Sequence, residues 1–357
     1  MKKYDVIIVG AGPAGVGAAK ILEKSDLEFC IIDKCKFPRH KLCGGGLTFK
    51  SQNALKKLGL SIDEIDTIES AKTRIVAKGI SKEVELNKSI IMVDRNEFDY
   101  NNLKQVKCDV FEDENIANIE GNILTTNKNL YEFKYIIFAD GLNGYSRKLI
   151  EDREFGFCVE YDIKGDFNET ILDFRAIEDG YGWIFPKKGH VTIGLGNFNK
   201  KKSDYLDLLY KFAKEYGFKI DKTKIMGYHI PIFSKDVYKK SVIDNKYILV
   251  GDAASLVDAI SGEGIYYALT SGMYAAESII ESIKNNGNLS DIYFEKTKNL
   301  CASLEKRLKA SNMLYSRMGN YFIKMGLNNK TILEKIKNIF GDSKDFFMHK
   351  KSILLEC

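Results

Sequence analysis

The sequence lacks any long apolar run. Nothing in its 357 residues approaches the about eighteen consecutive apolar residues that cross a bilayer, so peripheral contact is the only membrane association to expect. Met1-Lys2-Lys3-Tyr4-Asp5 leads straight into Val6-Ile7-Ile8-Val9, too short a stretch for the hydrophobic region of a secretory signal. Cysteine is present without a pattern. Cys30, Cys35, Cys43, Cys108, Cys158, Cys301 and Cys357 make no Cys-x-x-Cys pair, and no zinc-ligand spacing with the four histidines, so a reduced cytoplasmic protein is expected. Charge of one sign is scarce as well. The 54 basic and 49 acidic side chains leave +5, and no basic block is interleaved with aromatics, which excludes nucleic acid as an expected partner. Internal repeats and low-complexity linkers are missing too.

What is there is a large apolar complement, 45% of the chain, enough for two interleaved domains and a smaller appendage. Residues 4–9 read as a strand, the glycines after them as a turn, and Pro13 to Lys24 as a helix with Val16, Ala19, Ile21 and Leu22 on its apolar side. Phe29-Cys30-Ile31-Ile32 is a second buried strand, completing a β-α-β unit and implying parallel pairing. From Thr73 to Val93, and again from Phe157 to Ile232, short alternating segments predict antiparallel strands of a second sheet. Lys134 to Phe138 and Lys246 to Val250 are further short buried runs, so the first domain is discontinuous. A helix is expected from Gly264 to about Ile283, with Ile265, Ala268, Leu269, Gly272, Ala275, Ala276, Ile279 and Ile283 on one face. In the tail, Leu304, Leu308, Tyr315, Met318, Phe322 and Met325 mark one face of further helices.

Gly10-Ala11-Gly12-Pro13-Ala14-Gly15 fits the G-x-G-x-x-G dinucleotide fingerprint in its required place, after a strand and before a helix. Gly10 permits the tight turn, Gly12 lets backbone approach a pyrophosphate, and Gly15 lets helix and strand touch; the helix start offers free N–H groups. Asp33, eighteen residues after Gly15, stands where an acid bonds the adenosine ribose, with Lys34 beside it. The fingerprint serves NAD and FAD alike. Two later strand ends favour FAD: Ile136-Ile137-Phe138-Ala139-Asp140-Gly141, with Arg147 six residues on, and Ile248-Leu249-Val250-Gly251-Asp252-Ala253-Ala254. No second fingerprint exists, which leaves NAD(P)H, a ferredoxin or another reductant as a visiting electron donor.

With these residues the chain resembles the flavoprotein hydroxylase-like group of FAD oxidoreductases, and within it the geranylgeranyl reductases, over roughly residues 1–285. The resemblance rests on Gly10 to Gly15 with Asp33; Lys41-Leu42-Cys43-Gly44-Gly45-Gly46-Leu47; Arg95 with Phe98-Asp99; Asp140-Gly141 with Arg147; Tyr181-Gly182-Trp183-Ile184-Phe185-Pro186; and Gly251-Asp252 through Gly262-Glu263-Gly264-Ile265. It implies an α/β protein: a doubly wound, Rossmann-like FAD domain (1–65, 95–150, 240–285), an inserted, mostly antiparallel substrate sheet (66–94, 151–239) and a helical C-terminal region (286–357). It places Arg95 near the FAD pyrophosphate, Asp140, Asp252 and the start of the 265 helix around the flavin, and Cys43 and Gly44 where backbone approaches it, with Lys41 just upstream as a loop or phosphate contact. Cys43, Gly45 and Gly46 form the implied catalytic segment. Tyr181, Trp183, Phe185 and Pro186 form an apolar substrate wall.

The implied reaction is reduction of an isoprenoid C=C bond by hydride from FAD. Cys43 and flavin-associated water are the open choices for proton donor. A flavin monooxygenase or halogenase is the alternative enzyme, and a flavin electron-transfer or lipid-binding protein without its own chemistry is the alternative from another class. Ala259 stands where the family commonly has proline, which predicts a looser loop beside the flavin. Cys301 and Cys357 are too few for the four-cysteine cluster of related quinone oxidoreductases.

Overall fold

The structure is a computed structural model describing residues 1–198, 204–316 and 318–341; residues 342–357 of the expected helical tail, Cys357 among them, lie outside the described residues. The chain begins β1 (Lys2–Val9), α1 (Pro13–Leu22), β2 (Phe29–Ile32), β3 (Gly46–Leu47), α2 (Phe49–Leu58), β4 (Thr67–Ala77), β5 (Ile80–Val93) and α3 (Arg95–Lys104). It continues through β6 (Asp109–Phe111), β7 (Ile116–Glu120), β8 (Ile123–Thr126), β9 (Leu130–Phe138), β10 (Phe155–Lys164), β11 (Thr170–Asp173), β12 (Gly180–Lys187) and β13 (His190–Asn197). The remainder is α4 (Tyr205–Glu215), β14 (Met226–Pro231), α5 (Lys235–Lys239), β15 (Val242–Ile243), β16 (Tyr247–Leu249), α6 (Ile265–Asn285), α7 (Leu289–Leu314), α8 (Gly319–Asn328) and α9 (Lys330–Gly341).

The first sheet runs β15-β16-β9-β1-β2-β6. All of its pairings from β16 to β6 are parallel, and a β7–β8 hairpin joins it antiparallel through β9. Its central strand is apolar on both faces because both are covered. Ile7 and Val9 enter one core with Tyr131, Phe133 and Leu304, while Val6 and Ile8 enter the other with Ala14, Ala18 and Ala275. The register sets Ile32, Val9, Phe138 and Leu249 in one row. Consequently the segments after these residues, carrying Gly10, Asp33, Asp140 and Asp252, all emerge at the same carboxyl edge, the place where open parallel sheets bind ligands.

The second sheet runs β14-β10-β13-β12-β11-β4-β5-β3, antiparallel as expected except for β11 beside β4. One face packs Val159, Ile184, Ile193 and Leu195 against Leu209, Phe212 and Ala213 of α4. The other carries Cys158, Leu172 and Trp183 with Tyr181, Phe185, Tyr228 and Ile230. The Cys-Gly-Gly-Gly segment enters this sheet as β3, where Gly46 and Leu47 pair with Met92 and Ile91.

Helix α1 stops at Leu22, two residues short of the expected Lys24. The tail stripe also needs correction. Leu304 is buried and Leu308 packs on the same core, but beyond the turn at Tyr315 the helical phase resets. Helix α8 buries Ile323 and Leu327 against Ile75 and Val84, leaving Met318 and Met325 exposed.

Candidate functional site

The glycine turn has the close contacts its sequence implies. Gly10 has φ +105°, open to glycine at no steric cost. A Cβ on Gly15 would lie 1.9 Å from the Gly10 carbonyl oxygen, so no larger residue lets α1 sit this close to β1. Helix α1 starts at Pro13 with Gly12 as its N-cap, and among the described residues no side chain caps it and no acid lies in its first turn. Its N–H groups and positive dipole end are available to an anion. Asp33 does two things here: its Oδ2 accepts the Ala11 N–H at 2.7 Å, and its Oδ1 accepts the Cys35 N–H at 2.8 Å. That fixes the carboxylate beside the turn.

Arg95 opens α3, where Asp94 caps the helix by accepting the Asn96 N–H. One turn on, Asp99 takes a two-pronged bond from Arg95, Nε to Oδ1 at 2.9 Å and Nη2 to Oδ2 at 2.8 Å. Arg39 reaches the same carboxylate at 3.2 Å. Two guanidinium groups thus share one buried carboxylate, leaving a net positive charge beside the turn. Arg39 Nη2 would stand 3.6 Å from a Cβ on Gly12. Burial pulls the Arg95 pKa down, but Asp99 and the Cys43 side chain to which it bonds hold it above the usual value. The sequence reading missed Arg39; the residue that signalled it was Asp99, too acidic for a phosphate site unless more than one cation meets it. Lys34 donates to the Asn143 carbonyl, in the loop after Asp140, at 3.1 Å, and Lys41 is exposed.

Asp140 shapes its own turn. It accepts the Ser146 N–H at 2.9 Å and the Ser146 hydroxyl at 2.5 Å, and burial pushes its pKa up against those bonds. Arg147, expected beside it, is exposed. The nearby cation is Arg153, which donates to the Ser146 carbonyl at 3.2 Å and whose own pKa is lowered by burial against the pull of Asp140.

Asp252 is half-buried, its Oδ1 3.4 Å from the position of a Cβ on Gly264. Gly264 is the N-cap of α6, again without a capping side chain or an acid in the first turn among the described residues. Glu263 does not face water as an ordinary helix-start acid would. It accepts hydrogen bonds from Thr48, a short one, and from Ser51 at 3.0 Å, and burial raises its pKa against the Thr48 bond.

The loop between them is tied at several points rather than loosened at Ala259. Asp258 is buried, pairs with Arg307 of α7, and accepts the Ile260 N–H at 2.8 Å and the Ser261 hydroxyl at 2.6 Å. Burial would raise its pKa; Arg307 overrides that and holds it low. Tyr315 donates to the Ile260 carbonyl and Tyr181 to the Ser261 carbonyl. Tail residues therefore position the flavin-side loop, a link no local motif could reveal.

On β12, Tyr181, Trp183 and Phe185 share one face, with the Tyr181 and Trp183 rings 6.0 Å apart. Pro186 belongs to the opposite face with Ile184, because strand side chains alternate and β12 pairs without a bulge; it is not part of the wall. The aromatic face meets the Cys-Gly-Gly-Gly segment at Gly44, where a Cβ would lie 2.8 Å from the Phe185 ring and 3.5 Å from Trp183 Nε1. It meets the flavin-side loop at Gly262, where a Cβ would lie 3.5 Å from the Tyr181 hydroxyl. Gly45 passes its carbonyl to the Val93 N–H at 3.0 Å. Opposite this segment lie two charged groups that were not foreseen. Buried Lys187 comes within 3.1 Å of a Cβ on Gly45, and buried Glu160 of β10 accepts the Cys43 N–H at 2.9 Å.

The residues fit FAD on structural grounds. A glycine cradle with an uncapped helix start and a surplus guanidinium suits the pyrophosphate. A second uncapped helix start, at Gly264 and Ile265, suits the negative charge of a reduced isoalloxazine. The aromatic face would give a flavin ring beside that helix start apolar company. This combination defines an FAD-dependent oxidoreductase.

The sequence profile of the pyridine nucleotide-disulphide oxidoreductases matches residues 4–181. An uncharacterized protein of Methanosarcina barkeri is 36% identical over 312 residues, covering 80% of this chain and 76% of that one. A digeranylgeranylglycerophospholipid reductase of Picrophilus torridus is 27% identical, covering 96% and 92%. Among solved structures, a geranylgeranyl bacteriochlorophyll reductase-like protein of Thermoplasma acidophilum superposes with a TM-score of 0.73 at 22% identity, covering 96% and 92%. A flavin-dependent brominase superposes at 0.78 with 15% identity, covering 95% and 94%, which speaks to fold alone. The chain belongs to one family of FAD-dependent oxidoreductases with the Methanosarcina barkeri protein, and its more distant relatives include proteins named as geranylgeranyl reductases.

Proposed function

We propose that this enzyme saturates C=C bonds of a geranylgeranyl or related isoprenoid lipid. The observation that carries the reading is the meeting of the Cys43-Gly44-Gly45 backbone with the Trp183 and Phe185 rings, which sets an aromatic face beside that segment for the reacting part of a substrate. Bound reduced FAD supplies the hydride. The chain's own residues do the rest. Gly10 to Gly15 with Arg39 and Arg95 hold the pyrophosphate, Asp252 lies on the flavin side, and the α6 start at Gly264 favours negative charge on the reduced ring. Tyr181, Trp183 and Phe185 pack the alkene and keep water away, so that orientation contributes to rate.

The named reductase among the relatives supports this reading over halogenation. A test is anaerobic reduction of the purified protein followed by geranylgeranyl lipid: lipid-driven reoxidation with a saturated product is expected. Reoxidation by oxygen alone, with a hydroxylated product, would overturn the proposal in favour of a monooxygenase. Reoxidation by neither would favour an electron-transfer role. No described helix is long and apolar enough to cross a membrane. Exposed Met313, Met318, Tyr321 and Met325 on the tail support peripheral lipid contact, which sedimentation with anionic liposomes at low and high salt measures.

A further inference from the structure

The Glu160 carboxyl is the strongest chemical group on the substrate face that no cofactor contact uses. It lies on β10 two residues from Cys158, so both side chains are on the wall side of the sheet. Across the sheet the row reads Glu160, Gly194, Trp183. Gly194 has no side chain to intervene, and the Trp183 ring occupies that gap: a Cβ on Gly194 would lie 2.2 Å from Trp183 Cζ2. Glu160 is 3% exposed. Its Oε1 holds the Cys43 N–H at 2.9 Å, while its Oε2 is buried and makes no well-formed hydrogen bond among the described residues, with the Tyr228 side chain as the polar neighbour of the carboxyl. A buried carboxyl oxygen without a well-formed hydrogen bond is costly unless it carries a proton or meets a ligand.

We propose that Glu160 is the general acid of the reduction, delivering its proton from Oε2 to one alkene carbon while the other receives the hydride. This rests on the isoprenoid reading above. In the step the Glu160 O–H bond breaks and a C–H bond forms. The alkene π pair is consumed, the electron pair of the second C–H bond comes from reduced FAD, and the carboxylate regains its proton from water. The groups facing Glu160 suit such a cycle. Burial pushes its pKa up, Lys187 of β12 opposes that, Asp162 on the same strand adds to it, and the Cys43 N–H and Tyr228 of β14 oppose it, leaving it at about 7. Cys158 and the Arg95-bonded Cys43 complete the surroundings. An acid near neutrality is both present as acid and able to give its proton away. Lys187 stabilises the carboxylate left behind.

The alternative is that Glu160 only braces the Cys43 backbone. Glu160→Gln separates the two roles, because the amide oxygen still accepts the Cys43 N–H but no acidic proton remains. In single-turnover reoxidation of the dithionite-reduced holoenzyme by geranylgeranyl lipid, E160Q is expected to keep its FAD and lose about 10²- to 10⁴-fold in rate. The wild-type rate is expected to fall as pH rises through about 7, an inflection that E160Q lacks. If the wild type fails to turn over the lipid at any pH, the isoprenoid reading falls, and this assignment with it. If the wild type turns over and E160Q stays within about threefold of it with the same pH profile, Glu160 is only a brace. Should E160Q come without FAD, the wild-type profile decides: the inflection supports the proposal and a flat profile between about pH 6 and about pH 9 overturns it.

Discussion

Replacing Arg307 by methionine tests how the tail governs the flavin side. The Arg307–Asp258 pair is 3% and 0% exposed at its side chains, so the substitution strands a buried carboxylate for which Arg307 is the paired cation. Breaking a buried pair from one side costs about 3–5 kcal/mol. With unfolding entropy of about 2.1 cal/mol/K per residue, a chain of this size loses roughly 1.3 °C per kcal/mol, or about 4–7 °C in melting temperature if it unfolds as one unit. The pH dependence carries its own sign. Asp258 is held low in the folded protein, so its contribution is present above the unfolded carboxyl range and fades only as pH falls through the lower folded value. Without Arg307, the same burial raises the carboxyl and the group can take a proton. The deficit of R307M is therefore expected to shrink from neutral pH toward mildly acidic pH, and D258N/R307M to recover part of it. Because Asp258 also fixes Ile260 and Ser261, R307M should bind FAD more weakly. Scanning calorimetry and FAD titration read both effects. A deficit under about 1 kcal/mol that is flat with pH would refute the reasoning.

Other predictions follow from individual contacts. Gly15→Ala drives a Cβ into the Gly10 carbonyl and is expected to give colourless protein, measured as the flavin-to-protein absorbance ratio; full flavin content would contradict the role given to that contact. Gly194→Ala collides with the Trp183 ring, so lipid turnover should fall while FAD remains bound, read by single-turnover kinetics beside the flavin spectrum. Glu160, raised from the usual carboxyl range to about 7, contributes stability fully present below the unfolded value and lost as pH rises through the folded one. Relative to E160Q, the wild type should lose at most about 3 kcal/mol between mildly acidic and mildly alkaline pH, followed by urea unfolding.

The parts of this structure written in short segments were readable in the sequence. Gly10 to Gly15 runs from the end of β1 into the first turn of α1, where the fingerprint places it, and the 248–254 segment ends a parallel strand of the same sheet. The aromatic stripe of β12 occupies one face because alternation is a local property. Contacts made across the chain were not readable. Glu160 follows Val159 and precedes Tyr161, both on the α4 face, so alternation alone assigns it to solvent; it is buried because the Cys43 segment covers the second face as well. Pro186 was grouped with the wall by adjacency, and one residue of parity moves it across the sheet. Arg39, Arg153 and Arg307 act on carboxylates 60, 13 and 49 positions away, at Asp99, Asp140 and Asp258, and no periodicity encodes such pairs. Six residues of separation likewise does not fix which arginine lies against Asp140: Arg147 is exposed and Arg153 is the cation whose pKa Asp140 affects.

The central claim is that the apolar face beside the flavin site holds an isoprenoid alkene for reduction. The most direct measurement is anaerobic mixing of the reduced holoenzyme with geranylgeranyl lipid, watching the flavin absorbance return and weighing the product by mass spectrometry. The account predicts return of the oxidised spectrum without oxygen and a lipid heavier by one pair of hydrogens for each double bond saturated. A spectrum that returns only when oxygen is admitted, with the lipid unchanged or carrying an added oxygen, would contradict it.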